Sequence, residues 1–266
     1  MILFTGVGSL FDAFQKKYEC SAISARRTST SKLKFAFKSA SVVIHNAANL
    51  SPHDLESSVE DNFNLTKRIV DTLYEVNPTA KFINIGSMSY LKSDSQYLDI
   101  NDMTLYAYSK YLSETYCLKH QMKQIVLVRF STLFYENPEK DGLSKLINDA
   151  KIYNKVSLIN GGKACRNFLP IDAAVEYLNK IACGNYTDIR DKILNIVSLN
   201  KHSFKDIADY LRKVSPSLKI ENIELPEAEK NIVLSEFSPQ SIKNLGVVDF
   251  KLEDYILNYF NQLDNI

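Results

Sequence analysis

The chain has 266 residues, 45% of them hydrophobic and 11% aromatic, enough for one large α/β domain or a nucleotide-binding domain with a smaller lobe. Its 32 Lys and Arg nearly cancel its 31 Asp and Glu, leaving a formal charge of +1. That balance excludes a broad electrostatic footprint for nucleic acid or a membrane surface.

Short apolar runs alternate with longer amphipathic ones, the pattern of strand–helix–strand units on a parallel sheet. Ile2–Thr5 reads as a strand that runs into Thr5-Gly-Val-Gly-Ser9. Gly6 and Gly8 let the backbone turn tightly and approach a pyrophosphate at a helix N-terminus, with Ser9 and Leu10 next to it. The full G-x-x-G-x-x-G pattern is not met. Cys20–Ala25 is a second strand, and Ser24-Ala-Arg26-Arg27 is its end. A carboxylate there would hydrogen-bond a ribose 2′-hydroxyl, whereas arginine accommodates a 2′-phosphate. Arg26 and Arg27 therefore favour NADP(H) over NAD(H). The stretch from Ala25 to Ser41 is short for a helix plus a strand, so the first half is trimmed.

Ser41–Asn46 is a β-branched third strand, and Ser58–Val76 is a helix stopped by Asn77-Pro78. Lys81–Ile85 is a fourth strand, Leu105–Lys123 a second long helix and Gln124–Arg129 a fifth strand. After Leu133 the pattern changes. Helices over Leu143–Ile152 and Asp172–Cys183 flank a Val156–Ile159 strand, and Ile193–Val197 with Phe204–Val214 makes a strand–helix pair. Pro226–Ser235 is charged and loop-like, and Asp249–Leu263 is a closing helix. The fold expected is a Rossmann-like, doubly wound parallel α/β sheet over residues 1–134. A smaller mixed α/β substrate lobe follows over 135–266, with some segments returning to the sheet.

Cys20, Cys117, Cys165 and Cys183 form no C-x-x-C pair and have no His at zinc-site spacing, so they read as reduced thiols without a metal. No apolar run reaches the roughly 18 residues of a membrane span, and the start lacks the character of a signal peptide, which points to the cytoplasm.

The strongest chemical signal is Tyr106-Ala-Tyr-Ser-Lys110. Residues four apart share a helix face, so the Lys110 ammonium would stand beside the Tyr106 phenol and lower its pKa. That suits a proton donor or acceptor. About twenty residues upstream, Phe82–Ile85 runs into Gly86-Ser87-Met88-Ser89. A serine at the carboxyl end of a central parallel strand faces the crevice where such sheets bind ligands. Ser87 is the first choice for holding a substrate oxygen and Ser89 the second.

With these motifs in order, the chain resembles the extended short-chain dehydrogenase/reductase family, the NAD-dependent epimerase/dehydratase group, over nearly its whole length. Ile2–Gly8 is similar to the opening strand and glycine turn, and Val42–Ala48 to the V-I-H-x-A-A segment. The likeness implies that Asn46, Ala47, Ala48 and Ile85 line the cofactor. Asn62 with Thr66 matches an N-x-x-x-T helix in which the asparagine supports the site. Ser87, Tyr106 and Lys110 match the family's catalytic elements, with Met88 and Ser89 beside the substrate. Arg129–Phe134 is similar to the strand and loop that bring Phe130 and Thr132 to the nicotinamide, Thr132 also meeting the substrate. Arg166–Asp172 resembles R-D-F-x-x-x-x-D, which implies that Arg166 contacts the diphosphate of a nucleotide sugar. Asn195 and Leu245-Gly246 fall at the family's N-I-G strand and L-G turn.

Dehydratases of that family carry an Asp-Glu pair after the catalytic hydroxyl. Met88 and Ser89 stand there in this chain, which disfavours a 4,6-elimination. The reading is an NADPH-dependent reductase of a nucleotide-linked keto-deoxysugar, a 4-keto group above all, in which Tyr106 gives the proton, Lys110 tunes it and holds the ribose, and Ser87 fixes the carbonyl oxygen. The alternatives are a nucleotide-sugar epimerase with bound NAD, and a non-catalytic cofactor-sensing or scaffold protein. Phe130–Thr132 and Leu143–Ile147 would wall the sugar pocket, and the resemblance implies a homodimer through the long helices.

Overall fold

Val-Val-Ile-His over Val42–His45 shows no polar alternation, as a strand covered on both faces requires, and all four residues are buried. The same logic holds along the central sheet of the computed structural model, which describes residues 1–50, 53–92, 94, 96–184, 193–198, 201–225, 245–246 and 250–263. Six parallel strands compose it: β1 (Ile2–Phe4), β2 (Ser21–Ala22), β3 (Val42–His45), β4 (Lys81–Ile85), β5 (Ile125–Phe130) and β10 (Ile193–Ile196). Their spatial order is β10-β5-β4-β3-β1-β2, so the winding reverses between β1 and β3. This is a Rossmann-like doubly wound sheet, and its crevice opens at that reversal.

Helices cover both faces. On one, Phe4, Ile44, Ile83 and Val128 pack against Phe14 of α1 (Ser9–Gln15) and Leu178 and Ile181 of α7 (Ile171–Cys183). On the other, Leu3, Val43, Phe82 and Leu127 meet α2 (Thr30–Phe37), α4 (Leu65–Val76) and α5 (Leu105–Lys119) through Leu33, Phe37, Ile69, Leu73 and Cys117. The Lys81 ammonium donates to the carbonyls of Ile181 (2.8 Å), Ala182 (2.8 Å) and Gly184 (2.6 Å), pinning the carboxyl end of α7, where a cation suits the helix dipole.

Three boundaries differ from the sequence reading. The second strand shrinks to two residues, and between it and β3 there are a 3-10 turn (Ala25–Arg27) and α2 but no further strand, so the first half holds two strands where dinucleotide sheets carry three. The helix read over Ser58–Val76 begins earlier, as α3 (Leu55–Ser58) behind an Asp54 capping box, then widens into a π turn over Val59–Asn64 before α4. Helix α5 ends at Lys119, because His120 is extended and its Nδ1 accepts the Met122 N–H at 3.1 Å, a local bond that competes with helix continuation.

Two buried threonines hold His45. Thr66 Oγ1 donates to the Asn62 carbonyl (2.8 Å), so it accepts from His45 Nε2 (2.9 Å). The Nδ1 atom is then left to accept from the Thr5 hydroxyl at 2.7 Å. Burial holds the pKa of this imidazole well below its ordinary value, aided by the Lys110 charge.

A second core lies beyond β6 (Thr132–Phe134). There α6 (Gly142–Tyr153), α8 (Phe204–Val214) and α9 (Leu252–Gln262) enclose Phe134, Ile147, Phe168, Leu211 and Phe260. Three two-stranded ladders serve this lobe. β7 (Lys155–Ile159) pairs with β12 (Lys219–Ile223), β6 with β9 (Phe168–Pro170), and β8 (Cys165–Arg166) with β11 (His202–Ser203). Pro226–Ser235 lies outside the described residues.

Candidate active site

A cleft of about 790 Å³ opens at the carboxyl edge of the sheet, beside the reversal between β1 and β3. Its floor is the glycine turn. A Cβ on Gly6 would come within 3.0 Å of Asn46 Oδ1 and 3.1 Å of Ala47 Cα, so only glycine lets the first turn and the β3 loop lie this close. Asn46 ties the two together by donating to the Gly6 carbonyl at 3.0 Å, and its buried Oδ1 has no protein partner. Gly8, Ser9 and Leu10 continue the floor at the start of α1, and Ala47, Ala48 and Leu50 form the adjoining wall.

Opposite stands the β4–α5 unit. The Gly86 N–H donates to Val128 O (2.7 Å), which extends the ladder past β4 and brings Ser87 to the sheet edge. Thr104 caps α5 through the Ala107 N–H (3.2 Å), placing Tyr106 in the first helical turn and Lys110 one turn on. Ile85, Ser87, Tyr106 and Lys110 all line the cleft. The Ser87 hydroxyl accepts the Ser89 N–H at 3.1 Å and lies 2.9 Å from the Ser89 hydroxyl.

Electrostatics here depart from the spacing argument. Burial pushes the Tyr106 phenol above its ordinary value, and a hydrogen bond with the Ser87 side chain pulls it partly back. The Lys110 ammonium donates instead to the Ile85 carbonyl at 2.6 Å. Its own pKa is lowered to about 8 by burial, against the nearby Cys117 and Glu114. Four-residue spacing puts the two side chains on one face, but it does not aim the ammonium at the phenol. The phenol is thus held in its protonated form.

Arg26 and Arg27 sit in a single 3-10 turn at the far end of the cleft. Arg26 Nε lies 3.3 Å from Asp61 Oδ1, and Arg27 makes no ion pair among the described residues. Among the described residues the acid lining the cleft is Asp141, whose Oδ1 accepts the Ser144 N–H (2.7 Å) and whose Oδ2 accepts Tyr135 N–H (2.9 Å) and the Ser144 hydroxyl (2.6 Å). Arg26, Arg27, Lys110 and Lys140 therefore give the cleft a basic balance suited to a polyanionic ligand. The glycine cradle and the unpartnered Asn46 oxygen likewise fit a dinucleotide.

Phe130 and Thr132 also line the cleft. Asn62 stands behind it, accepting the Asn49 N–H (2.6 Å) and donating to Asn49 O (3.0 Å) and Ser109 Oγ (2.9 Å), so it clamps the β3 loop to α5. Met88 is buried among Tyr90, Leu91, Ala107 and Val197, outside the lining. Ser89 reaches the cleft only through Ser87. Arg166, in the ladder opposite His202, lies outside the lining and donates to the Cys165 carbonyl at 2.9 Å. Sequence reasoning passed over Tyr135 and Lys140, which reach the cleft from the loop between β6 and α6. Burial raises the Tyr135 phenol to about 12, with Tyr106 adding to the rise. Among the described residues no cluster of metal-ligating side chains occurs, and no helix is long and apolar enough to cross a membrane.

Solved structures share this architecture end to end. An NAD-dependent NDP-hexosamine 5,6-dehydratase, TunA, of tunicamycin biosynthesis superposes with a TM-score of 0.79 at 15% identity, covering 100% of this chain and 97% of its own. The ADP-L-glycero-D-manno-heptose-6-epimerase of Helicobacter pylori gives 0.79 at 15% identity, over 100% and 96%. The UDP-glucuronic acid 4-epimerase of Bacillus cereus, solved with UDP-glucuronic acid and NAD, gives 0.77 at 18% identity, over 98% and 91%. At these identities the likeness is one of fold. No curated protein matches the chain by sequence. The model of the NAD dependent epimerase/dehydratase family matches residues 8–196, which take in most of the sheet and Ser87, Tyr106 and Lys110, and the chain belongs to that family.

Proposed function

We propose that this chain is an NADPH-dependent reductase of a nucleotide-linked keto-deoxysugar, with a 4-keto group as the reacting carbonyl. The observation that carries the reading is the convergence of Ser87, Tyr106 and buried Lys110 on one basic cleft. Gly6, Gly8, Ser9 and Leu10 would hold the cofactor pyrophosphate, Arg26 and Arg27 its 2′-phosphate, and Asn46–Ala48, Ile85, Phe130 and Thr132 its remaining length. A nicotinamide supplies the hydride when bound. Ser87 holds the carbonyl oxygen, and Tyr106, kept protonated by burial, donates its phenolic proton to that oxygen. Lys110 keeps positive charge beside the site below about pH 8. The second lobe would take the sugar nucleotide. No free carboxylate lines the cleft among the described residues, since Asp141 is fully engaged, and this supports reduction over elimination of water.

A second reading, an epimerase with bound NAD, draws support from the Bacillus cereus neighbour, whose structure holds NAD. One experiment separates them. The protein is gel-filtered, assayed for retained nucleotide, and then given NADPH with a panel of nucleotide-linked 4-keto sugars. Consumption of NADPH with reduction of the sugar, by protein that emerges free of nucleotide, is the expected result. Retained NAD with interconversion of sugars and no net NADPH oxidation establishes the epimerase. Cofactor binding with neither reaction leaves the cofactor-sensing or scaffold reading. A homodimer through α4 and α5 is proposed alongside, and light scattering on the eluted peak measures it.

A further inference from the structure

Behind the cleft, and outside its lining, lies a buried charge pair. Glu114 stands one helical turn beyond Lys110 on α5, and Arg129 sits on β5; both are almost wholly enclosed. Glu114 Oε2 accepts from Arg129 Nε (2.8 Å) and from the Tyr90 hydroxyl (2.7 Å). Its Oε1 accepts from Arg129 Nη2 and from the Tyr97 hydroxyl (2.7 Å). The guanidinium also faces the rings of Tyr90 and Tyr97, 5.3 and 5.5 Å from their centroids, and Nη2 donates to Tyr97 OH at 3.0 Å.

A buried ion pair is poor value as a stabiliser, since well-packed apolar residues of the same volume often do as well or better. What it provides here is direction. With four bonds arriving at one carboxylate, the Tyr90 hydroxyl has a single place to point its proton, and its oxygen is turned towards the β4–α5 turn. The Ser87 N–H faces that oxygen at 3.4 Å. The neighbouring residue fits the same surface: a Cβ on Gly86 would meet Tyr90 OH at 3.1 Å and Arg129 Cγ at 3.2 Å. The backbone that carries the Ser87 hydroxyl therefore rests directly on the network.

We propose that Glu114, Arg129 and Tyr90 form a positioning network that holds the Gly86–Ser87 turn, and so sets where the Ser87 hydroxyl stands in the cleft it shares with Tyr106. This rests on the reading of Ser87 and Tyr106 as the proton-handling pair. None of the three touches the reacting atoms. They act through Ser87, and Tyr90 is the link.

The test uses Tyr90→Phe, which keeps the ring and removes only the linking oxygen; Glu114→Gln would also strand a buried guanidinium and confound folding with function. Two readouts are taken on the full chain. The first needs no substrate: ionisation of Tyr106, read as the ultraviolet difference between each protein and its Tyr106→Phe derivative, is compared with and without Tyr90→Phe. Release of Ser87 should move that ionisation up. The same substitution made in Ser87→Ala protein should leave it unmoved. The second is turnover: Tyr90→Phe should lower kcat about 10-fold with little change in KM, yet less than about 2-fold further in Ser87→Ala protein, because residues acting as one unit are not additive. An unmoved Tyr106 ionisation in Tyr90→Phe protein, or equal shifts in both backgrounds, overturns the network. If no substrate is turned over, the ionisation readout still decides it, so failure of the reductase reading is distinct from failure of this one.

Discussion

The two ends of the cleft are built differently. At one end, Ser87, Tyr106 and Lys110 come from one rigid strand–helix unit, capped at Thr104, backed by Glu114 and Arg129, and tied across to β5. At the other end the sheet stops at a two-residue strand, and Arg26 and Arg27 stand exposed on a single turn. Under the proposed function, chemistry that depends on sub-ångström placement would sit where the fold over-determines the backbone. Recognition by charge, which tolerates movement, would sit where it does not.

That contrast predicts effects of very different size. The largest belongs to Tyr106→Phe, which should cut turnover by about 10²- to 10⁴-fold, the span of general acid catalysis, while titration of nicotinamide fluorescence shows cofactor affinity nearly unchanged. A variant that stays active would dissolve the contrast at its root. Lys110→Met comes next, and its sign is unusual. The ammonium titrates at about 8 in the folded chain, against about 10.4 when unfolded. The unfolded chain then binds more protons between those values, so stability climbs with pH across that window. Lys110→Met should abolish that climb. It should also stabilise the protein near pH 7 by about 2 kcal/mol, the pKa penalty less the lost bond to Ile85, as denaturant melts at two pH values would show. Wild-type turnover should fall above about pH 8, the Lys110 value, well before the raised Tyr106 phenol ionises.

Effects at the Arg26–Arg27 end should be smaller. Arg27→Ala should weaken NADPH binding about 10-fold, the worth of a charge-assisted phosphate contact, and leave NADH binding unchanged. Equal losses for both cofactors would remove the 2′-phosphate assignment. Arg26→Ala should cost about 2-fold at most, because its guanidinium already leans on Asp61 and is exposed to salt.

Legibility in the sequence follows the same division. The alternation of strands and helices, the short first half and the Ser87/Tyr106/Lys110 unit all lie on regular elements whose period is written in the residues. The Glu114–Arg129 pair was also readable, though unread. An arginine inside Ile-Val-Leu-Val-Arg-Phe must find a buried partner, and a glutamate one turn past Lys110 faces the right way. Tyr135 and Lys140 were not readable, because they sit on an irregular loop that only tertiary folding carries to the cleft. Arg166 shows the reverse. Its motif gave a position along the chain, while the pairing with His202 set where that position lies, away from the cleft lining. The state of Tyr106 escaped for a third reason: spacing gives neighbours, and a pKa depends on which way a proton-bearing nitrogen is turned and how much water is excluded.

The threonine clasp around His45 has a practical outcome for anyone charting activity against acidity. An imidazole with both nitrogens committed, one receiving and one giving, cannot take a second proton without breaking the clasp. It stays electrically silent through the range where histidines ordinarily switch. A bend in a rate curve around neutrality therefore reports some other group, however near this ring lies to the glycine turn.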